Sequence, residues 1–255
     1  MTKEELIRYH RQMILPEIGR AGQEKIKQAK VLVVGAGGLG CPVLLYLAAA
    51  GVGTIGIVDG DKVEKSNLQR QILYQDEDIG KFKAEVSAQK IKKQNPFLQV
   101  RFRVEHLNPA NAVEIISQYD LVVDGTDNFP SRYLINDACM QLNKPFVFGS
   151  ILRFQGQVSV FNYKDSASYR CLYPDPPAED ESPNCSEIGV LATLPGIVAT
   201  LQANEVLKII TGVGETLSGK LLVIDLLTLQ FETFRFSKGM KGSPPLAAES
   251  LNFQK

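Results

Sequence analysis

The stretch VLVVGAGGLG, residues 31–40, constrains this chain more than any other part of it. Four β-forming apolar residues run straight into glycines at 35, 37 and 40, which spell G-x-G-x-x-G, and Asp59 follows about twenty residues later. A strand that ends in such a turn and reopens as a helix presents unpaired backbone N–H groups to a phosphate. Glycine is needed wherever the backbone comes close to the ligand. Read alone, the fingerprint points to a dinucleotide such as NAD. It leaves the ligand open, because the same turn serves any phosphate held at a helix N-terminus.

From residue 31 onward the patterns alternate. Strands are expected over 31–34, 54–59, 100–104, 121–124 and 145–150, with helices over 39–50, 83–94, 109–117 and 130–142. After Ser150 the pattern changes to segments of antiparallel type at 156–163, 221–225 and 230–236, around one apolar helix over 197–211 that Gly212 closes. The expected fold class is therefore α/β: a Rossmann-like, doubly wound, mostly parallel sheet continued by antiparallel C-terminal strands. Thr2 and Glu5 form a capping-box pattern, and with a second amphipathic stretch near residues 21–27 they predict an N-terminal helical arm. One domain is expected over 1–237, made of the arm (1–28), a nucleotide-binding core (29–150) and a C-terminal part (151–237). Within the last, the Pro-, Ser- and acid-rich stretch 164–187 reads as a mobile surface connection, and 238–255 as a tail.

Charge narrows the possible partners. Twenty-eight Lys and Arg balance twenty-eight Asp and Glu, so nothing global favours DNA or another polyanion. No apolar run reaches the roughly twenty residues of a membrane span, and the charged N-terminus lacks a signal-peptide core, so a cytoplasmic protein is expected. The ligand itself needs more than the glycines. A nucleoside triphosphate adds charge that its site meets with Arg, Lys and a carboxylate-held divalent cation. Loops after the predicted strands offer such groups: Asn67 and Arg70 in GDKVEKSNLQRQ, Lys83 in GKFKAE, and Asp127 and Asn128 in GTDNFPSR.

These segments, together with RYHRQMILPEIGRAGQEKI and GVLATLPGIVATLQANEVLKIITG, resemble the ThiF/MoeB/HesA family of ubiquitin-activating-like adenylyltransferases over most of the chain up to about Phe236. The resemblance implies that Gly38 lies against ATP, that Asp59 binds the ribose, and that Asn67, Arg70 and Lys83 hold the phosphates. It implies that Asp127 binds Mg²⁺ with Asn128 beside it, and that Arg11 reaches the triphosphate from the second subunit of a homodimer. The implied reaction activates the C-terminal glycine of a small β-grasp sulfur-carrier protein of the MoaD or ThiS kind, ending in Gly-Gly. The C-terminal part, 151–237, then binds the carrier. A separate protein is expected to supply the sulfur, for molybdopterin or thiamine-thiazole synthesis.

Other residues are weighed against plainer roles. Cys185, in SPNCSE, is a candidate for a covalent link to the carrier or for sulfur transfer, though no neighbouring cation lowers its pKa. Cys41 and Cys139 fall on predicted helices as core residues. Many relatives bind zinc through two C-x-x-C pairs. Here the first reads Ser168-Tyr169-Arg170-Cys171 and no cysteine follows Cys185, so no structural zinc is expected. GETLSGK at 214–220 imitates a Walker A motif, but Leu221 stands where Ser or Thr is required. His10 and His106 have no ligand-spaced partner and read as solvated or structural. Two other functions stay open at this stage: adenylation of a tRNA base or small molecule, and an NAD-dependent oxidoreductase, which would leave Arg70, Lys83 and Asp127 without a task.

Overall fold

The computed structural model describes residues 1–177 and 189–239. Strands Lys30–Val34 (β1), Thr54–Val58 (β2), Gln99–Arg103 (β3), Leu121–Asp124 (β4) and Phe146–Leu152 (β5) form the parallel part of one sheet, in the order β3-β2-β1-β4-β5. Gln155–Phe161 (β6), Lys220–Asp225 (β7) and Gln230–Arg235 (β8) continue it antiparallel beyond β5. β1, β2 and β4 read as unbroken apolar runs because both their faces are covered, as parallel strands require. β5 pairs with β4 on one side and β6 on the other, so the sheet crosses residue 150 without a break. The expected α/β class, with its antiparallel continuation, is the one observed.

Helices close both faces. Gly40–Ala50 (α4), Lys83–Gln94 (α5) and Leu194–Thr211 (α9) cover one, where Val31, Val33, Leu44, Leu47 and Val198 make a single core. Ala112–Ser117 (α6) and Phe129–Gln141 (α7) cover the other, over Leu32, Val122, Phe146 and Phe148. α4 stops where Gly51 turns left-handed at φ 89°. α9 starts three residues earlier than its pattern predicts, with Pro195 in its first turn. One side of it is buried, including Val198, Ala199, Gln202, Ala203 and Val206, while Thr200 and Asn204 are exposed. Cys41 and Cys139 are core residues with no exposure, and burial pushes the Cys41 thiol up to about 12. The GETLSGK stretch links α9 to β7 as a loop.

The N-terminal arm is helical: Lys3–Arg8 (α1), His10–Met13 (α2) and Gly19–Gln28 (α3). The Thr2–Glu5 capping box forms, and buried Glu5 bonds Lys27 at 2.8 Å, tying α1 to α3. Tyr9 is 2% exposed; its ring covers Gly51 and its hydroxyl accepts from Asn95 Nδ2 at 2.8 Å. Among the described residues no helix is long and apolar enough to cross a membrane.

One expectation needs correction. The described portion of the 164–187 stretch is packed rather than mobile: Tyr169–Leu172 forms a short helix (α8), and Tyr169 is 1% exposed. Its ring meets those of Tyr133, Phe148, Phe161 and Tyr173 at centroid distances of 5.1, 5.4, 5.6 and 4.9 Å, and Asn136 Oδ1 accepts from its N–H at 2.9 Å. Local composition suggests a loop there, but the aromatic floor of the sheet overrides it. Cys185 and the tail from residue 240 lie outside the described residues. Tyr169→Ala empties the centre of this ring cluster and is expected to cost about 3 kcal/mol or more of folding stability, read by urea unfolding under circular dichroism. A loss below about 1 kcal/mol would mean that the segment is only loosely attached.

Candidate active site

In the strand order 3-2-1-4-5 the chain steps from β1 outward to β2 and β3, then crosses back to β4 on the other side of β1, and at this reversal a crevice opens at the carboxyl ends of β1 and β4. The backbone turns after β1 and β4 meet there without room for side chains. A Cβ on Gly40 would lie 2.0 Å from the Gly35 carbonyl oxygen, and one on Gly35, at φ 88°, would lie 2.7 Å from the Gly125 oxygen. Gly37 and Gly38 differ. A Cβ on Gly38 would meet Pro195 no closer than 3.5 Å, so the fold itself does not require glycine there.

The crevice holds a cavity of about 320 Å³. Of the nine residues singled out in the sequence, six line it: Gly38, Asp59, Arg70, Lys83, Asp127 and Asn128. Asp59, at the end of β2, accepts from the Ala36 N–H at 2.7 Å and from the Asp61 N–H at 2.8 Å, which ties the glycine turn to the next loop. Burial pushes its carboxyl above the ordinary value, and these two donors oppose the shift. Lys83 opens α5 with its ammonium buried, and Nζ donates to Asp61 Oδ2 at 3.0 Å. Arg70 is held at the rim by a short helical turn at Lys65–Asn67; its guanidinium donates to the Ser66 carbonyl at 3.2 Å.

Asp127 and Asn128 divide two tasks that either could perform. Asn128 caps α7, its Oδ1 accepting from the Ser131 N–H at 2.9 Å. Asp127 is thereby free of capping, and among the described residues nothing bonds its carboxylate. The loop that carries it is fixed from below: buried Asp124 Oδ1 accepts from the Thr126 N–H at 2.9 Å and the Thr126 hydroxyl at 2.6 Å.

Two residues do not line this cavity. Asn67 is buried beneath the Lys65–Asn67 turn, where its Oδ1 accepts from the Glu64 N–H at 3.2 Å and its carbonyl accepts from the Arg70 N–H, so in this structure it supports Arg70. Arg11 is exposed on α2, away from the cavity lining. Cys185 is outside the described residues. Sequence reasoning also missed residues that face the cavity. Asp61 bonds Lys83, and His106, read as solvated or structural, lies on Gly60 with Nε2 3.6 Å from Asp61 Oδ1. Gln71 has a buried Oε1 with no partner among the described residues. The D-x-D spacing of Asp59 and Asp61 was the one available signal for Asp61; only the fold brings His106 to it.

Known proteins resemble this chain in sequence and in fold. The ThiF family model matches residues 9–244. A sulfur carrier protein adenylyltransferase of Thermus thermophilus is 48% identical, over 99% of this chain and 97% of the relative. A probable adenylyltransferase/sulfurtransferase MoeZ of Mycobacterium tuberculosis is also 48% identical, but this chain spans only 65% of it. Among solved structures, PaaA superposes with a TM-score of 0.80 at 26% identity, over 93% of this chain and 75% of its own. The structure of E. coli MccB with ATP superposes with a TM-score of 0.76 at 25% identity, over 88% of this chain and 67% of its own.

The glycine geometry separates folding from ligand contact. Gly40→Ala is expected to lower the melting temperature sharply or prevent folding. Gly38→Ala is expected to fold with nearly unchanged stability and to weaken ATP binding about tenfold or more, measured by calorimetric titration. Equal loss of stability in both variants would contradict the distinction.

Proposed function

The chain belongs to the ThiF family, and we propose that it is an ATP-dependent adenylyltransferase that activates the C-terminal glycine of a small sulfur-carrier protein. The observation that carries this reading is the convergence of Gly38, Asp59, Arg70, Lys83 and Asp127 from three separate strand-to-helix connections, β1–α4, β2–α5 and β4–α7, on one cavity. The name of the Thermus relative, which this chain matches end to end, supports the substrate class.

The chemistry follows from these groups. The glycine turn and the N-terminus of α4 receive the phosphates, and Asp59 takes the ribose hydroxyls. An oxygen of the carrier's carboxylate attacks the α-phosphorus, the bond to the bridging oxygen of the β-phosphate breaks, and pyrophosphate leaves with that electron pair. The carrier is left as an acyl-adenylate. A carboxylate is already ionised, so no general base or side-chain nucleophile is needed; positioning and charge stabilisation suffice. Arg70 and Lys83 offset the charge that gathers on the leaving pyrophosphate, and Lys83 exchanges Asp61 for phosphate oxygen. A free carboxylate such as Asp127 suits Mg²⁺, which is usually held by one or two carboxylates together with substrate phosphates. When bound, the ion neutralises phosphate charge.

The N-terminal arm supports a homodimer. Ile14 and Tyr46 are each 53% exposed, and a cavity of about 340 Å³ lies between α2, α4 and α9. A second copy seated on this face covers apolar surface and brings its arm, with Arg11, towards the triphosphate.

The test is pyrophosphate exchange into ATP. Exchange should appear only with a carrier whose C-terminal Gly-Gly is intact. Arg70→Ala and Asp127→Ala should each lower it by about a hundredfold or more while the circular dichroism spectrum stays that of the unmutated chain. Exchange without any carrier, or near-normal exchange in both variants, refutes the proposal.

A further inference from the structure

Gln71 lines the nucleotide cavity one residue beyond Arg70 and is 4% exposed. Its Oε1 is buried without a hydrogen-bond partner, and among the described residues nothing bonds its Nε2. Packing alone does not ask for an amide at this place. A methionine fills a similar volume and leaves no polar atom unpaired. A buried amide with both ends unused is therefore kept for a partner that the free protein does not contain.

The side chain is placed from both directions along the chain. Upstream, the Gln71 N–H donates to the Asn67 carbonyl at 2.9 Å, in the turn that also carries Arg70. Downstream, the Tyr74 N–H donates to the Gln71 carbonyl at 3.0 Å, and the Tyr74 hydroxyl donates to the Ala36 carbonyl at 2.6 Å and lies 2.9 Å from the Ser87 hydroxyl. Ala36 directly precedes Gly37, so this bond holds the segment that bears Gln71 against the glycine turn.

That placement selects the atom that Gln71 meets. A Cβ built on Gly37 would lie 3.6 Å from Gln71 Nε2, and among the described residues no other atom comes within 4 Å of it. One residue further on, a Cβ on Gly38 would lie 3.7 Å from Arg70 Cδ. One residue back, the Ala36 N–H donates to Asp59. The order along the turn is therefore Asp59 at Ala36, Gln71 over Gly37 and Arg70 over Gly38. A nucleotide has its ribose joined to the α-phosphate, with the β- and γ-phosphates beyond. With the ribose at Asp59 and the outer phosphates at Arg70, the α-phosphate falls at Gly37, beneath Nε2.

We propose that Gln71 is a catalytic residue whose Nε2 donates to a non-bridging oxygen of the α-phosphate, the centre at which the carrier's carboxylate displaces pyrophosphate. The assignment rests on the adenylyltransferase reading above and adds a donor at the reacting phosphorus itself. The amide gives up no proton in the step; it supplies a fixed dipole where charge redistributes as one P–O bond forms and the other breaks. Being neutral, it needs no counter-ion while the cavity is empty, unlike Lys83, which is paired with Asp61.

Two variants and two readouts test this. Gln71→Met is expected to keep or raise the melting temperature, because an unpaired amide leaves the interior, and to lower kcat for pyrophosphate exchange about tenfold or more, with KM for ATP changed far less. In calorimetric titration the unmutated protein is expected to bind AMP more tightly than adenosine, and Gln71→Met to narrow that preference about fivefold. Gln71→Glu keeps the size of the side chain but sets a carboxylate beside the phosphate, and is expected to bind AMP less tightly than adenosine. A merely structural amide would give a lower melting temperature in Gln71→Met with kcat and the AMP preference unchanged, and would overturn the assignment. So would an AMP preference that is the same in all three proteins. No exchange by the unmutated protein with any Gly-Gly carrier would overturn the adenylyltransferase reading, while the AMP preference still decides whether Gln71 touches the α-phosphate.

Discussion

Everything else in the molecule depends on how closely the backbone turns after β1 and β4 approach each other. With Gly40 against the Gly35 carbonyl, and Gly35 against Gly125, the sheet's carboxyl edge closes to the point where only main chain fits. That contact aims the N-terminus of α4 into the crevice and sets the loop bearing Asp127 directly opposite the glycine turn. Asp59 completes the frame, because its carboxylate holds the Ala36 N–H of one turn and the Asp61 N–H of the next.

The electrostatics of the site follow from this frame. Arg70 and Lys83 face Asp59, Asp61 and Asp127 across one cavity, so the free protein does not hold an uncompensated cationic hole. The buried Lys83 ammonium is paired with Asp61, whose side chain is 54% exposed. A triphosphate competes with a solvated carboxylate there, which costs less than taking the cation from a buried partner. Asp127 is held in reserve because Asn128 takes over the helix cap. The proposed division of labour is therefore ribose recognition by Asp59, phosphate neutralisation by Arg70 and Lys83, and metal binding by Asp127.

Most of this frame was legible in the sequence because its elements are locally encoded. Parallel strands buried on both faces read as uninterrupted apolar runs, and Gly35, Gly37 and Gly40 occur at a spacing only a strand-turn-helix unit needs. Arg70, Lys83 and Asp127 were found because strand-end loops in this topology converge on one crevice. What escaped depends on distant residues meeting. Tyr169 looks like part of a polar loop until Tyr133, Phe148 and Phe161 surround it. His106 acquires a place only when the end of β3 comes beside Gly60. Asn67 was expected at the phosphates, but its amide oxygen is engaged by the turn that carries Arg70.

The central claim is that an acyl-adenylate forms on the carrier's terminal glycine. It is tested most directly by incubating protein, carrier and MgATP with inorganic pyrophosphatase and measuring the mass of the intact carrier. The account predicts a carrier species heavier by one adenylyl group, located on the last glycine by fragmentation and absent when that glycine is deleted. A carrier of unchanged mass, with AMP found instead on a small molecule or a nucleic acid, would contradict it.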